Sequence, residues 1–213
     1  MGWYGDVILP RILDYLLRGA DFRQVRARVA AGLDGEVLEI GFGSGLNVPH
    51  YPPGVTKVLA IDPAVAGRKL AAGRIAQSAT PVEFAGLDAG RLPAGDASVD
   101  HVLSTWTLCT VPDAATALAE IRRVLKPGGS LHFAEHGRAP EPKVARLQRR
   151  LNPLQGRLFG GCHLDRPIDR LISDAGFELT RLDNYYLQGS RTVGYTFEGI
   201  ATKPAEQIAR SMT

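Results

Sequence analysis

The 213-residue chain has little cysteine, no large excess of either charge and no long apolar run. Each shortage excludes something. Two cysteines, Cys109 and Cys162, cannot build a disulfide framework, so a reducing, cytoplasmic setting is expected. Lysine and arginine number 25 against 22 aspartates and glutamates, a net charge of +3. That is too small to imply nucleic acid as a partner. The first apolar run, Val7-Ile8-Leu9, stops at Pro10 and Arg11. It is too short for a signal-peptide core or a membrane span. The Met-Gly start carries Asp6 where an N-myristoylation site needs Ser or Thr. There is no repeat and no low-complexity tract. What is present is 45% hydrophobic and 22% charged residues, the balance of a soluble globular protein. The length fits one domain with at most a small elaboration.

Hydrophobic periodicity divides the chain. Residues 7–33 read as helical, with one apolar stripe through Ile12, Leu13, Leu16 and Leu17. A second runs through Phe22, Val25, Val29 and Leu33, after Asp21 as a possible cap. Residues 1–34 would thus form an N-terminal helical cap. Strands are expected at 36–40, 58–61, 82–85, 99–104 and 130–135. Helices are expected from Ser44, at 64–76 and at 113–125. Such alternation predicts a parallel sheet with helices on both faces. A helix near 166–175, stopped by Gly176, leads to two further strands, 177–182 and 192–201. No helical pattern separates them, which predicts an antiparallel pair at one sheet edge.

Four motifs punctuate this frame. Glu39-Ile-Gly41-Phe-Gly43-Ser-Gly45-Leu-Asn47 places glycines at a strand end, where backbone N–H groups can approach a ligand. The spacing is G-x-G-x-G, and the third glycine of the dinucleotide fingerprint would fall on Leu46, which weakens a pyrophosphate reading. A tight turn is the alternative. Asp62, at the end of the second strand, can accept both hydroxyls of a ribose or cap the next helix. Asp88, in Gly86-Leu-Asp88-Ala-Gly, can accept from an adenine amino group or close a turn on itself. Leu125-Lys-Pro-Gly-Gly129 reads as a helix stop and a tight turn.

The ordered set VLEIGFGSG, Asp62, LDAGRLP, DASVDHVLSTWTL and LKPGG, over about 36–136, resembles the class I S-adenosylmethionine-dependent methyltransferases. The resemblance implies an α/β fold with a Rossmann-like, seven-stranded, mostly parallel sheet whose last strand is antiparallel. It implies S-adenosylmethionine as cofactor. Glu39, Gly41, Gly43, Gly45 and Asn47 would hold its methionine end, Asp62 and Pro63 the ribose, Asp88 and Ala89 the adenine. Thr105 and Tyr4 would line the same pocket, although an aromatic staple suits Tyr4 equally. A narrower resemblance, through TWTLCTVPD, LHFAEHGRAP and GGCHLDRPIDRLISDAGF, is to bacterial relatives of the vertebrate thiol methyltransferases. Tyr51-Pro-Pro-Gly54, Leu108-Cys109, Glu135-His136 and Gly161-Cys162 match that group's patterns. Its hydrophobic N-terminal anchor has no counterpart in residues 1–34. The implied acceptor is a small thiol or hydrosulfide. A lipid or quinone head group is the enzymatic alternative, and cofactor binding without turnover is the other.

In-line methyl transfer needs alignment, exclusion of water and, for some acceptors, a base. His136, just after the fifth strand, and His163 are the candidates, each with a structural alternative. Cys109 and Cys162 read as packing residues. With His136 they form no compact ligand spacing, so no metal is expected. Residues 137–165 form an insertion placed to act as a lid. From 137 to 166 there are seven basic residues and two acidic ones, Glu141 and Asp165. The apolar stripe Val144, Leu147 and Leu151 accompanies them. This combination reads as a solvated face, as a guide for an anionic acceptor or as a weak membrane-surface contact.

Overall fold

Strand β1 (Gly35–Ile40) is buried along its last four residues, so the sheet needs cover on both faces. A computed structural model describes residues 7–205. It contains β2 (Val55–Ile61), β3 (Val82–Gly86), β4 (Val99–Thr105), β5 (Leu125–His136), β6 (Glu178–Tyr186) and β7 (Tyr195–Thr202). The helices are α1 (Leu9–Leu17), α2 (Ala20–Ala30), α3 (Val65–Ala76), α4 (Ala114–Val124), α5 (Pro142–Leu158) and α6 (Ile168–Asp174). The strand order is β3-β2-β1-β4-β5-β7-β6. Strand β7 runs antiparallel to both β5 and β6, and the other pairings are parallel. The expected Rossmann-like sheet and its antiparallel end are therefore present.

Period-two alternation sorts side chains between the faces. Leu38, Val102, Leu131 and Phe133 join a core with Leu118 and Ile121 of α4 and Ile168 and Ile172 of α6. Val37, Leu103 and Ala134 point the other way, onto Val25 and Val29 of α2. Helix α1 reaches α3 through an Asp14–Arg74 ion pair of 2.9 Å.

Several boundaries differ from expectation. The apolar pattern of 7–33 breaks into two helices at Gly19, which takes the N-cap, while Asp21 lies in the first turn of α2. No α-helix starts at Ser44. Left-handed glycines and Pro49 leave only a 3-10 turn at Val48–His50. The strand expected at 130–135 already begins at Leu125, because Gly128 and Gly129 exchange backbone hydrogen bonds with Lys203. The first late strand runs on to Tyr186, and the second starts only at Tyr195, after a turn in which Gly194 N–H donates to Ser190. The insertion folds mainly as α5, with Pro153 inside it. Its Val144 packs on the core, but Leu147, Leu151, Leu154 and Leu158 stay exposed. Among the described residues, no helix is long and apolar enough to cross a membrane.

Candidate active site

The strand order reverses between β1 and β4, and in open α/β sheets the crevice beyond the carboxyl strand ends at that point receives ligands. The glycine loop lies here. Gly41, Gly43 and Gly45 have φ values of +68°, +54° and +74°, a region costly for other residues. A Cβ on Gly41 would collide with the Thr107 side chain. One on Gly67 of α3 would stand 2.6 Å from the Gly43 carbonyl oxygen. The loop is thus clasped between the segment after β4 and helix α3. Arg74 of α3 adds a 2.8 Å hydrogen bond to the Ser44 carbonyl.

Glu39 lies at the floor, 1% exposed. Asn47 donates to one carboxylate oxygen at 3.0 Å and the Tyr51 hydroxyl to the other at 2.5 Å. Asn47 also donates to the Thr105 hydroxyl at 2.9 Å, which ties the ends of β1 and β4 together. Burial pushes the Glu39 carboxyl up to about 7 against the pull of these hydrogen bonds. Arg26 of α2 is buried as well, and that burial lowers its guanidinium to about 10. It donates to the Leu17 carbonyl and stacks 4.7 Å above the Trp106 ring.

Asp62 is buried and accepts two backbone N–H groups, from Gly43 at 2.7 Å and Ala64 at 2.6 Å. Burial raises its carboxyl, and the two N–H donors oppose the rise. One oxygen therefore fastens the glycine loop and the other stands beside the start of α3, although Ala64, not Asp62, is the N-cap. Pro63 is exposed next to it. Asp88 sits one strand further out, exposed, and accepts from Gly90 N–H at 2.8 Å in a turn of its own. Ala89 packs on the main core. Tyr4 lies outside the described residues.

At the end of β5 a second enclosed glutamate, Glu135, accepts from the Ser104 hydroxyl at 2.6 Å. It also accepts from the backbone N–H groups of Thr107 and Cys109, both at 3.1 Å. These bonds hold the segment after β4, in which Trp106 adopts φ +52°, a strained value for an aromatic residue. His136 follows, with its ring centroid 6.3 Å from that of Trp106. Its Nδ1 lies 3.8 Å from the Cys162 sulfur, which is 3.8 Å from the Cys109 sulfur. The fold thus gathers three residues that the sequence spacing left apart. Contact between the sulfurs holds the Cys109 thiol well up and draws Cys162 down. The His163 side chain is exposed, and its backbone N–H donates to the Cys109 carbonyl at 2.8 Å. Partial burial, with the charge of Arg166, lowers His163 below the ordinary imidazole value. His132 and His101, both within strands, are tied into structural hydrogen bonds with Val29, Ser130 and Asp34.

Sequence reasoning missed Arg26, which nothing local marks. It also missed the grip of Tyr51 on Glu39, for which only the Tyr-Pro-Pro-Gly pattern gave a signal. Three enclosed polar atoms lack a partner among these groups, Arg26 Nε, Asn47 Oδ1 and Trp106 Nε1. A spare acceptor next to a buried carboxylate suits the ammonium-bearing end of an amino-acid cofactor, so the residues present fit S-adenosylmethionine.

Comparison with known proteins agrees. A methyltransferase-domain family matches residues 38–133. A thiol S-methyltransferase TMT1B of Rattus norvegicus is 34% identical over 168 residues, 76% of this chain and 68% of the relative. A phosphatidylethanolamine N-methyltransferase of Cereibacter sphaeroides is 28% identical over 166 residues, 72% of this chain and 77% of that protein. Among solved structures, a methyltransferase from Methanosarcina mazei has a TM-score of 0.63 at 26% identity. The match covers 81% of this chain and 94% of that one. The chain therefore belongs to the class I S-adenosylmethionine-dependent methyltransferases, an enzyme family whose cofactor is S-adenosylmethionine.

Proposed function

We propose that this methyltransferase acts on a small thiol or hydrosulfide. The observation that carries the reading is the prior commitment of the glutamates around the crevice. Glu135 braces main chain through three donors, and Glu39, held by Asn47 and Tyr51, is the carboxylate reserved in this reading for the cofactor's ammonium group, so neither is assigned to an acceptor proton. What remains are imidazoles, His136 and His163. A thiol, with an ordinary pKa of about 8.5, needs only such modest help, whereas a carbon acid needs more. Similarity to a thiol S-methyltransferase supports the same choice.

The cofactor supplies a methyl group already activated on a sulfonium. In this reading Glu39, Asn47 and the glycine loop orient its amino-acid end, and Asp62 with Pro63 holds the ribose. Asp88 and Ala89 border the adenine, and Thr105 fixes Asn47. Trp106 forms the wall against which the acceptor aligns. His136 or His163 takes the acceptor proton. Residues 137–165 act as a lid that excludes water, and their basic residues draw in an anionic acceptor.

A second reading is methylation of a lipid head group. It is favoured by the four exposed leucines of α5, which share the helix with five basic residues and no acidic one, and by the similarity to a phosphatidylethanolamine N-methyltransferase.

The test is S-adenosylhomocysteine formation by the purified chain with sulfide, methanethiol, larger thiols, a quinol analogue and an aminophospholipid. Multiple turnovers with sulfide or thiols are expected. Turnover on the lipid or quinol with none on thiols would overturn the acceptor assignment.

A further inference from the structure

Cys109, His136 and Cys162 come from three separate stretches: the segment after β4, the last residue of β5 and the turn after α5. Their donor atoms all lie within 4.8 Å of one another. The sulfurs are 3.8 Å apart, and Cys162 Sγ is 3.8 Å from His136 Nδ1. A tetrahedral zinc ion takes thiolate sulfur at about 2.3 Å and imidazole nitrogen at about 2.0–2.1 Å, which sets its ligands about 3.6–3.8 Å apart. Two of the three donor pairs thus already stand close to the edge length of such a tetrahedron, and the third, Cys109 to His136, lies within 4.8 Å.

The backbone holds them there. Cys109 is fixed from both sides, its N–H by Glu135 and its carbonyl by His163 N–H. Cys162 is delivered by two consecutive left-handed glycines, Gly160 at φ +64° and Gly161 at φ +95°. A Cβ on Gly161 would press to 3.0 Å on the Thr110 carbonyl oxygen. The cysteines are enclosed at 0% and 5% exposure among Leu164 and Phe159, while His136 remains half-buried on the open side. Two thiolates and a neutral imidazole would neutralise a divalent cation in this apolar setting. Among the described residues, no further Cys, His, Asp or Glu joins the group. Three protein ligands with an open fourth position is the arrangement of a catalytic rather than a structural zinc.

We propose that Cys109, His136 and Cys162 bind one zinc ion and that the acceptor sulfur occupies its fourth position. The second half rests on the thiol reading above and refines it. His136 then serves as a ligand, and the acceptor thiol loses its proton to solvent on coordination, with no change of oxidation state.

The test uses the full chain, reduced and freed of metal, titrated with Co2+ as the probe. One equivalent should give an intense sulfur-to-cobalt charge-transfer band and tetrahedral ligand-field bands, displaced by Zn2+. Cys162→Ser should weaken binding by more than the about 10–100-fold that changes around a metal's ligands cost. His136→Gln is the second variant, with far-UV circular dichroism confirming the fold of each. Methanethiol added to the cobalt protein should shift the ligand-field bands. Absence of a charge-transfer band, or an equal band in Cys162→Ser, overturns the site. A Cys109–Cys162 disulfide in air, with no cobalt band after reduction, overturns it in favour of a redox pair. Bands indifferent to thiols overturn the fourth-position assignment alone. Failure of the thiol reading itself is seen separately, in the turnover panel.

Discussion

Glu39 on β1 and Glu135 on β5 are both enclosed, at 1% and 0% exposure, and each sits one residue before its strand ends. Their partners differ. Glu135 accepts from two backbone N–H groups and one hydroxyl, so it braces main chain between residues 104 and 109. Glu39 accepts only from side chains, Asn47 and Tyr51, which can rotate, and its burial leaves it poised near neutral pH. Backbone donors have nowhere else to turn, whereas side-chain donors can be traded for a ligand. One carboxylate is thus scaffold, and the other is suited to exchange partners when a cation arrives.

Four substitutions probe that contrast. Glu135→Ala strands three enclosed donors and should cost about 3 kcal/mol or more, near 10 °C in Tm, read by thermal denaturation. A loss as small as that of an exposed residue would end the scaffold assignment. Asp62→Asn keeps one oxygen acceptor for the loop but removes the charge. It should weaken S-adenosylmethionine binding about 10–100-fold by calorimetry, and because the amide NH2 then faces one of the two backbone N–H groups, Tm should also fall by a few degrees, about 1–3 kcal/mol of stability. Unchanged affinity would remove Asp62 from the ribose.

Glu39→Gln should change the pH dependence of stability. The Glu39 carboxyl is raised to about 7, so its contribution to stability is largest in acid and falls as pH rises from about 4.5 to 7. Burial lowers His132 to about 4, so its contribution is lost as pH falls from about 6.5 to 4. In the wild type the two slopes oppose each other between these limits. Glu39→Gln removes the Glu39 slope, so between these limits stability should rise with pH more steeply than in the wild type, by up to about 1.4 kcal/mol per pH unit. Denaturant midpoints at stepped pH would detect it, and a slope equal to wild type would refute the raised carboxyl. Smallest is Tyr51→Phe, about 1 kcal/mol by chemical denaturation, because the hydroxyl is one of two donors to Glu39.

Much of this architecture was legible. Alternating strands and helices, the glycines after Glu39, and the helix-free gap between the last two strands each follow from local pattern, and each has its place in the sheet. What stayed hidden depends on distant chain segments meeting. Arg26 reaches Trp106 only because α2 packs on the second face. Cys109 and Cys162 are 53 residues apart, and only the Gly160-Gly161 turn brings them together. The helix expected from Ser44 failed for a local reason, since Gly45 is needed in the left-handed region and Pro49 cannot donate. Asp88 closes its own turn, so its role toward adenine stays a proposal.

That missing helix has a consequence for ligand choice. A helix starting at the glycine loop would have aimed the equivalent of about half a positive charge at the crevice, a field that favours polyanions. The chain turns through a short 3-10 segment instead and keeps two carboxylates, Glu39 and Asp62, beside the loop. If the loop receives its ligand as proposed, its electrostatics discriminate by sign: a sulfonium with an ammonium group is welcomed, and a dinucleotide diphosphate of similar size is turned away.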